Sequence, residues 1–264
     1  MLFFKTLVIA LIFSSIGFKK FIYFISIGYG FSIAIIGLFL LYNSKTNLTL
    51  VEIILGLLYI IYGLRLALFL ALRELKNEYY NKKILKDLEK GNEMKTIIKF
   101  FIWISVSLLY ACQSSPLTFR TLSNVKDDKL LSYIGIIIMF CGFLLEVWAD
   151  HQKSEAKKIN PKRFVDTGLY TIVRCPNYFG EMIFWTGNFI GGLKIYNGFF
   201  QWFIAILGYI TIIYIMFSGA RRIEERQNKS YGEDPAYKKY VKTTPILIPF
   251  LPLYSVEKYT WLRG

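Results

Sequence analysis

Histidine and cysteine are scarce in this chain, with one His and three Cys among 264 residues. Cys112, Cys141 and Cys175 are scattered, no CxxC occurs, and His151 is the sole imidazole that could join them. A structural zinc site needs four such ligands, so no metal is predicted. Cys112 and Cys141 are expected to pack as small apolar side chains inside helices. Acidic residues are also few, 18 against 32 Lys and Arg, which leaves a net charge of +14. There is no internal repeat, no low-complexity linker and no polar stretch that reads as a soluble domain. Residues 1–264 therefore read as a single integral membrane domain.

What the chain has in quantity is apolar length. Hydrophobic residues make up 55% of it and aromatics 18%, and the mean hydropathy is +0.42. About 18 apolar residues suffice to cross the hydrocarbon as a helix. Segments 21–42, 48–72, 130–149 and 199–218 meet that length; 2–18, 97–112 and 178–193 are shorter or more polar. The expectation is an all-α, polytopic bundle of about seven transmembrane helices. Lys5 followed by LVIALIF also resembles the charged and apolar regions of a signal peptide, but no small-residue cleavage site follows, so 2–18 is read as a retained span.

On a soluble protein a charge of +14 would point to nucleic acid. Here 25 of the 32 basic residues fall in 19–20, 73–99, 150–177 and 219–264. The alternate segments 43–47, 113–129 and 194–198 hold only Lys45, Arg120, Lys126, Lys129 and Lys194. Seven spans put the rich segments on one face, which the positive-inside rule makes cytoplasmic, with the C-terminus inside. The charge is then a topology signal, and no nucleic-acid partner is predicted. The membrane would be the endoplasmic reticulum in a eukaryote or the inner membrane in a bacterium. Segment 73–99 is helix-like, with Glu78 and Lys82 at i,i+4 spacing, and reads as a solvated face near anionic lipid.

Three polar clusters stand out against this background. In EVWADHQK, 146–153, Glu146 and Asp150 share a helical face that Lys153 and Lys157 extend. Acids at the end of a long apolar helix are costly in lipid and usually face the bundle interior. The bland alternative is a self-compensating cluster at a helix end. In GLYTIVRCPNYFGE, 168–181, Arg174 can fork onto a phosphate or carboxylate, Asn177 can donate and accept, and Tyr170 and Tyr178 can stack on a ring. Glu181 and Trp185 are four apart on the helix that follows. An ordinary basic turn before a span would explain any one of these residues alone. In the tail, 218–240, Arg221 and Arg222 precede Glu224, Glu225 and Arg226, then Tyr231, Tyr237 and Tyr240; membrane-surface anchoring is the plain reading. A further charge, Arg65, lies inside a span three residues after Tyr62, with snorkelling or a pair with Glu52 as its ordinary explanations.

Together these residues resemble the steroid 5α-reductase-like membrane family, whose bacterial and protist branch is known only as a domain of unknown function. The resemblance runs from about residue 50 to 252 and is most specific in ExxxDxQK, Glu146 to Lys153, and in GLY followed by RxPNYFGE, Gly168 to Glu181. It implies a helical bundle that holds NADPH in its C-terminal half, 146–252, and reduces a C=C bond conjugated to a carbonyl, or a related sterol or isoprenoid-like alkene. Membrane lipids would surround it, and a lipid-soluble small molecule would be the substrate. By resemblance, Glu146 and Asp150 contact the nucleotide, and Asn177 with Trp185 holds the nicotinamide end. Lys157, Arg174, Tyr178, Glu181, Arg221, Arg222, Tyr231 and Tyr240 complete the cofactor set, and Tyr62 polarises the substrate carbonyl. Two departures matter. Cys175 stands where the family has His in RHPNY, and the glutamate that partners the tyrosine in the steroid enzymes has no counterpart, with Gln113 a substitute at most. A steroid substrate is therefore not implied.

Two rival readings remain. RCPNYFG and the RIEE of Arg222 to Glu225 also resemble the isoprenylcysteine carboxyl methyltransferases, which would make S-adenosylmethionine the cofactor. A non-catalytic, lipid-binding membrane protein is the other, and Cys175 is the residue that keeps it open.

Overall fold

The apolar runs fold into helices whose polar and apolar faces are inverted relative to a soluble protein. The computed structural model describes residues 1–45, 48–76, 93–123 and 129–262. Among the described residues there are nine α-helices and no strand. They are α1 (Leu2–Ser14), α2 (Ile27–Asn43), α3 (Leu50–Lys76), α4 (Thr96–Gln113), α5 (Ser115–Arg120), α6 (Lys129–Ile159), α7 (Pro176–Gly192), α8 (Gly198–Tyr231) and α9 (Pro235–Thr243). The expected Glu78–Lys82 pair lies outside the described residues.

Among the described residues, five helical segments are long and apolar enough to cross a membrane: Phe21–Asn43, Leu50–Arg73, Thr96–Gln113, Lys129–Ile159 and Gly198–Tyr231. The protein is thus a polytopic helical membrane bundle. Segment 2–18 is a shorter apolar helix, Leu2–Phe18, and 178–193 falls in α7, which has 17 residues. The inversion is plain on α3. Leu57, Ile61, Leu64, Leu68 and Leu72 are exposed along one stripe, whereas Tyr59 and Tyr62 are fully buried on the other. With hydrocarbon outside, aliphatic side chains face out and hydroxyl groups are satisfied inside. Cys112 is buried as expected, but Cys141 is exposed, because it shares the outward stripe of α6 with Ile137, Leu144 and Trp148.

The chain divides into two compact units. The first comprises Met1–Ile136 and Asn188–Tyr209, and the second Ile137–Gly187 and Ile210–Gly264. In the first unit α2 and α3 touch backbone to backbone: a Cβ on Gly63 would lie 2.3 Å from the Gly30 carbonyl oxygen, and one on Gly30 2.6 Å from that of Gly63. Small residues allow such approach where no hydrophobic force drives helices together. Tyr62 and Tyr29 hydroxyls lie 3.2 Å apart, and the Tyr29 ring packs on Tyr110 at 4.9 Å. Arg120, buried, donates to Ser132 Oγ at 2.9 Å and to the Gly191 carbonyl at 2.6 Å.

One charge expectation is corrected here. Glu52 does not pair with Arg65. Its backbone N–H donates to Thr49 Oγ1 at 3.3 Å, and its carboxylate accepts from Thr49 N at 2.8 Å and Thr49 Oγ1 at 2.7 Å. This is a capping box that opens α3. Arg65 is about 20 Å further along the helix at 1.5 Å per residue, and its guanidinium lies over the Phe69 ring at 5.2 Å.

Candidate functional site

The second unit is organised by a glycine crossing between α6 and α7. A Cβ on Gly180 would lie 2.7 Å from Glu146 N and 2.8 Å from the Gly142 carbonyl oxygen. One on Gly142 would lie 2.4 Å from Phe184 N. The two backbones therefore meet, and the buried carboxylates Glu146 and Glu181 flank the crossing. Asp150, also buried, follows Glu146 on α6, and Lys153 and Lys157 continue that face half-buried. Trp185 is buried one turn beyond Glu181 and packs edge-on against Phe184, with centroids 5.2 Å apart.

The loop between α6 and α7 is clamped to α6 by Gln152. Its Oε1 accepts from Leu169 N at 2.8 Å. Gly168 lies beneath it at φ +61°, where a Cβ would be 2.5 Å from that oxygen. Both the left-handed backbone and the lack of a side chain are needed at Gly168. The Gln of EVWADHQK and the Gly of GLY are thus two halves of one contact. Tyr170 then donates to the Ala149 carbonyl at 3.3 Å and receives Tyr240 Oη–H on its own carbonyl at 2.7 Å.

Arg174 is the centre of the charged cluster. Its Nη2 donates to Glu224 Oε1 at 2.8 Å and to the Tyr254 carbonyl, and both side chains of the ion pair are almost wholly buried, 1% and 2% exposed. Nε and Nη1 of Arg174 are buried donors that meet no acceptor at hydrogen-bond geometry, with the Tyr237 phenol the nearby hydroxyl that feels the guanidinium. Glu224 Oε2 accepts from Val256 N at 2.9 Å and Glu257 N at 3.1 Å. The backbone joins the same strap, because Arg174 N donates to the Pro245 carbonyl at 2.9 Å and Cys175 N to that of Ile246 at 3.0 Å.

On α8, Arg221 donates to the Glu257 carbonyl at 3.1 and 3.2 Å and pairs with Glu225 at 2.7 Å, while Arg222 is exposed. Asn177 and Tyr178 are half-buried on the first turn of α7, and Tyr178 packs where a Cβ on Gly219 would stand, 2.7 Å from the ring. Lys157 Nζ donates to Tyr231 Oη and to the Pro161 carbonyl, both at 3.2 Å. Tyr231, Tyr237 and Tyr240 surround Phe164, with centroids 5.2 to 5.9 Å from its ring.

The Cys175 thiol and the phenols of Tyr170, Tyr237 and Tyr240 are held protonated at neutral pH by burial. Burial pushes the Cys175 thiol up to about 11, and Tyr237 up to about 12 against the pull of Arg174. Burial also raises Tyr170, with the charge of Asp150 adding to it. Cys175 is therefore a buried, protonated thiol and not a ready nucleophile.

A family model described as a protein of unknown function, DUF1295, matches residues 12–244. The chain belongs to that family. No curated protein and no solved structure matches it. The DUF1295 match takes in α6 to α9 and with them Glu146, Asp150, Arg174, Glu181 and Glu224. It stops short of the strap, 245–257, that closes on Arg174.

Of the expected site residues, Glu146, Asp150, Arg174, Glu181, Trp185, Arg221 and Tyr240 are buried within the second unit. Tyr62 belongs to the first. Sequence reasoning missed Gln152 as the clamp on the loop and Glu224 as the partner of Arg174. The i,i+4 spacing of Arg221 and Glu225 does announce their local ion pair. Nothing in a linear pattern announces a partner fifty residues away. Among the described residues no group of three His, Cys, Asp or Glu could hold a metal.

Proposed function

We propose that this DUF1295 protein is a membrane-embedded, NADPH-dependent reductase of a lipid-soluble enone, or of a sterol- or isoprenoid-like C=C bond. The observation that carries the reading is Arg174, a buried guanidinium with two donors still unmet, beside a helix crossing flanked by buried carboxylates. Charge buried next to membrane spans is expensive and marks function by default. A nucleotide matches this donor set: phosphate oxygens suit guanidinium N–H groups, and ribose hydroxyls suit Glu146 and Asp150.

NADPH supplies the hydride when bound. The chain's own residues do the rest. Arg174 and the exposed Arg222 would hold phosphate charge, with Arg221 and Lys157 adding to the positive field. Asn177, with Tyr178, Glu181 and Trp185 near it in sequence, would hold the nicotinamide end, since its amide can both donate and accept. By the resemblance, the hydroxyl of Tyr62 would donate a hydrogen bond to the substrate carbonyl, where negative charge develops as hydride adds, before a proton from water completes the reduction. The C-terminal side of the protein faces the cytoplasm, from which NADPH is drawn.

The test is titration of the detergent-purified protein with NADPH and, separately, with S-adenosylmethionine, for the wild type and Asn177→Ala. NADPH binding in the micromolar range, weakened by the substitution, supports the reductase. Binding of S-adenosylmethionine alone transfers the site to a methyltransferase. If neither binds, even after Cys175→His, the lipid-binding reading replaces both.

A further inference from the structure

The segment that follows the strap carries a feature that the proposed cofactor site does not use. Residues 257–262 run back along α8, and three side chains of that helix fix their course. Asn228 Nδ2 donates to Glu257 Oε2 at 2.8 Å, and Arg221 donates to the Glu257 carbonyl. Tyr214 Oη donates to the Trp261 carbonyl at 2.8 Å. Residues 214, 221 and 228 are successive steps of two helical turns, so the three lie on one stripe of α8.

That course sets a depth. Arg221 and Arg222 are the first charges after the apolar stretch 199–218 of the span Gly198–Tyr231. Tyr214 lies about 10 Å from Arg221 towards the apolar side. Ile210, one turn further, is 58% exposed and so belongs to the outward, lipid-facing surface. Trp261 is therefore held where the span passes from headgroups to hydrocarbon, and it is 67% exposed there.

The side chains suit that level. The Trp261 ring stacks on Tyr214, with centroids 6.1 Å apart, and meets Tyr259 at 6.3 Å. Indole and phenol rings favour the interface, where the ring is sheltered and the polar tip stays wet. Lys258 Nζ lies over the Tyr259 ring at 5.1 Å, and its stem is long enough to reach headgroup phosphates. The turn also meets its own backbone groups: Tyr259 N donates to the Val256 carbonyl at 3.1 Å and Leu262 N to that of Tyr259 at 3.0 Å. Satisfied in this way, it enters the interface at little polar cost. Leu262 is buried and pins the far end to the protein.

We propose that residues 258–262 form an interfacial anchor whose partner is the headgroup–acyl boundary of the bilayer, and that this anchor keeps the strap seated on Glu224. The coupling is short. Val256 and Glu257 N–H groups both donate to Glu224 Oε2, and Trp261 lies one short turn beyond them. Lipid contact at Trp261 and closure over the Arg174–Glu224 pair are thus two ends of one segment. The inference does not depend on which cofactor the second unit holds.

The experiment uses the full-length protein, labelled with 5-fluorotryptophan and placed in phosphatidylcholine nanodiscs. Trp261→Phe identifies the Trp261 fluorine resonance among those of the five tryptophans. Phosphatidylcholine with a nitroxide near the top of its acyl chain broadens that resonance. A resonance untouched by the labelled lipid overturns the proposal. Broadening by a water-soluble gadolinium chelate instead marks a solvated ring, and broadening by neither marks one covered by protein, a second copy included. In the same nanodiscs Trp261→Ser speeds amide exchange at Val256 and Glu257 about tenfold, because opening no longer withdraws an indole from the interface. Exchange unchanged in Trp261→Ser overturns the coupling of the anchor to the strap.

Discussion

Replacing Arg174 by Met removes one partner of a buried ion pair and leaves the other in place. Glu224 then keeps its two backbone donors, Val256 N and Glu257 N, but loses the guanidinium 2.8 Å from Oε1. The Tyr254 carbonyl loses its donor too. Both side chains are 2% exposed or less, so solvent screening offers little relief. Two unit charges at about 4 Å interact by about 4 kcal/mol at an effective dielectric of 20. Truncating one member of a buried pair costs about 3–5 kcal/mol. For a domain of this size that is a fall in melting temperature on the order of 10 °C. Thermal unfolding in detergent, followed by tryptophan fluorescence, measures it, and limited proteolysis reports release of the strap 245–257. The double variant Arg174→Met, Glu224→Leu recovers part of the loss, because no charge is left stranded, though Val256 and Glu257 N–H groups each forfeit an acceptor. A double-mutant cycle gives a coupling of about 3 kcal/mol. A single variant that melts within about 1 °C of wild type, or a cycle that is simply additive, refutes the reasoning.

Gly180→Val places a Cβ 2.7 Å from Glu146 N, a backbone atom that cannot swing aside, so the crossing opens at a cost of about 3 kcal/mol, read as lower folded yield and melting temperature. Gln152→Leu strands Leu169 N–H and costs about 1–3 kcal/mol, whereas Gln152→Glu keeps an acceptor and is nearly neutral. For pH, Cys175 and Tyr237 ionise at about 11 and 12 in the fold, above ordinary values of 9.0 and 10.0. The folded state holds these protons more tightly, so their contribution is intact below about pH 9 and is lost as pH rises towards 12. Melting temperature is therefore level from about pH 7 to 8.5 and falls above about 9, at about 1.4 kcal/mol per pH unit for each group. Cys175→Ala delays the onset of that fall; a curve unchanged by it contradicts the assignment.

The helices were legible because apolar runs of membrane length have few other uses, and Glu146 and Asp150 declared a shared face by spacing alone. The capping box of α3 was present as Thr49 and Glu52 at i,i+3, and length along the helix rules out Arg65 as a partner. The tertiary contacts were not legible in the same way. Gly142 and Gly180 look like any glycines in a span until the helices cross. Arg174 was expected to reach an anion, and one of its three nitrogens does so within the chain, at Glu224, a residue whose nearer Arg neighbours gave no hint of it. Tyr231 and Tyr240, expected near phosphates, form an aromatic cluster with Phe164, a residue without motif or periodicity to mark it.

Amide hydrogen exchange on the purified protein, with and without NADPH, locates the cofactor most directly. Slower exchange at 146–157 and 168–181, absent with S-adenosylmethionine and lost in Asn177→Ala, is the expected result. Unchanged exchange with NADPH, or protection of these segments by S-adenosylmethionine alone, would contradict a reductase site in the second unit.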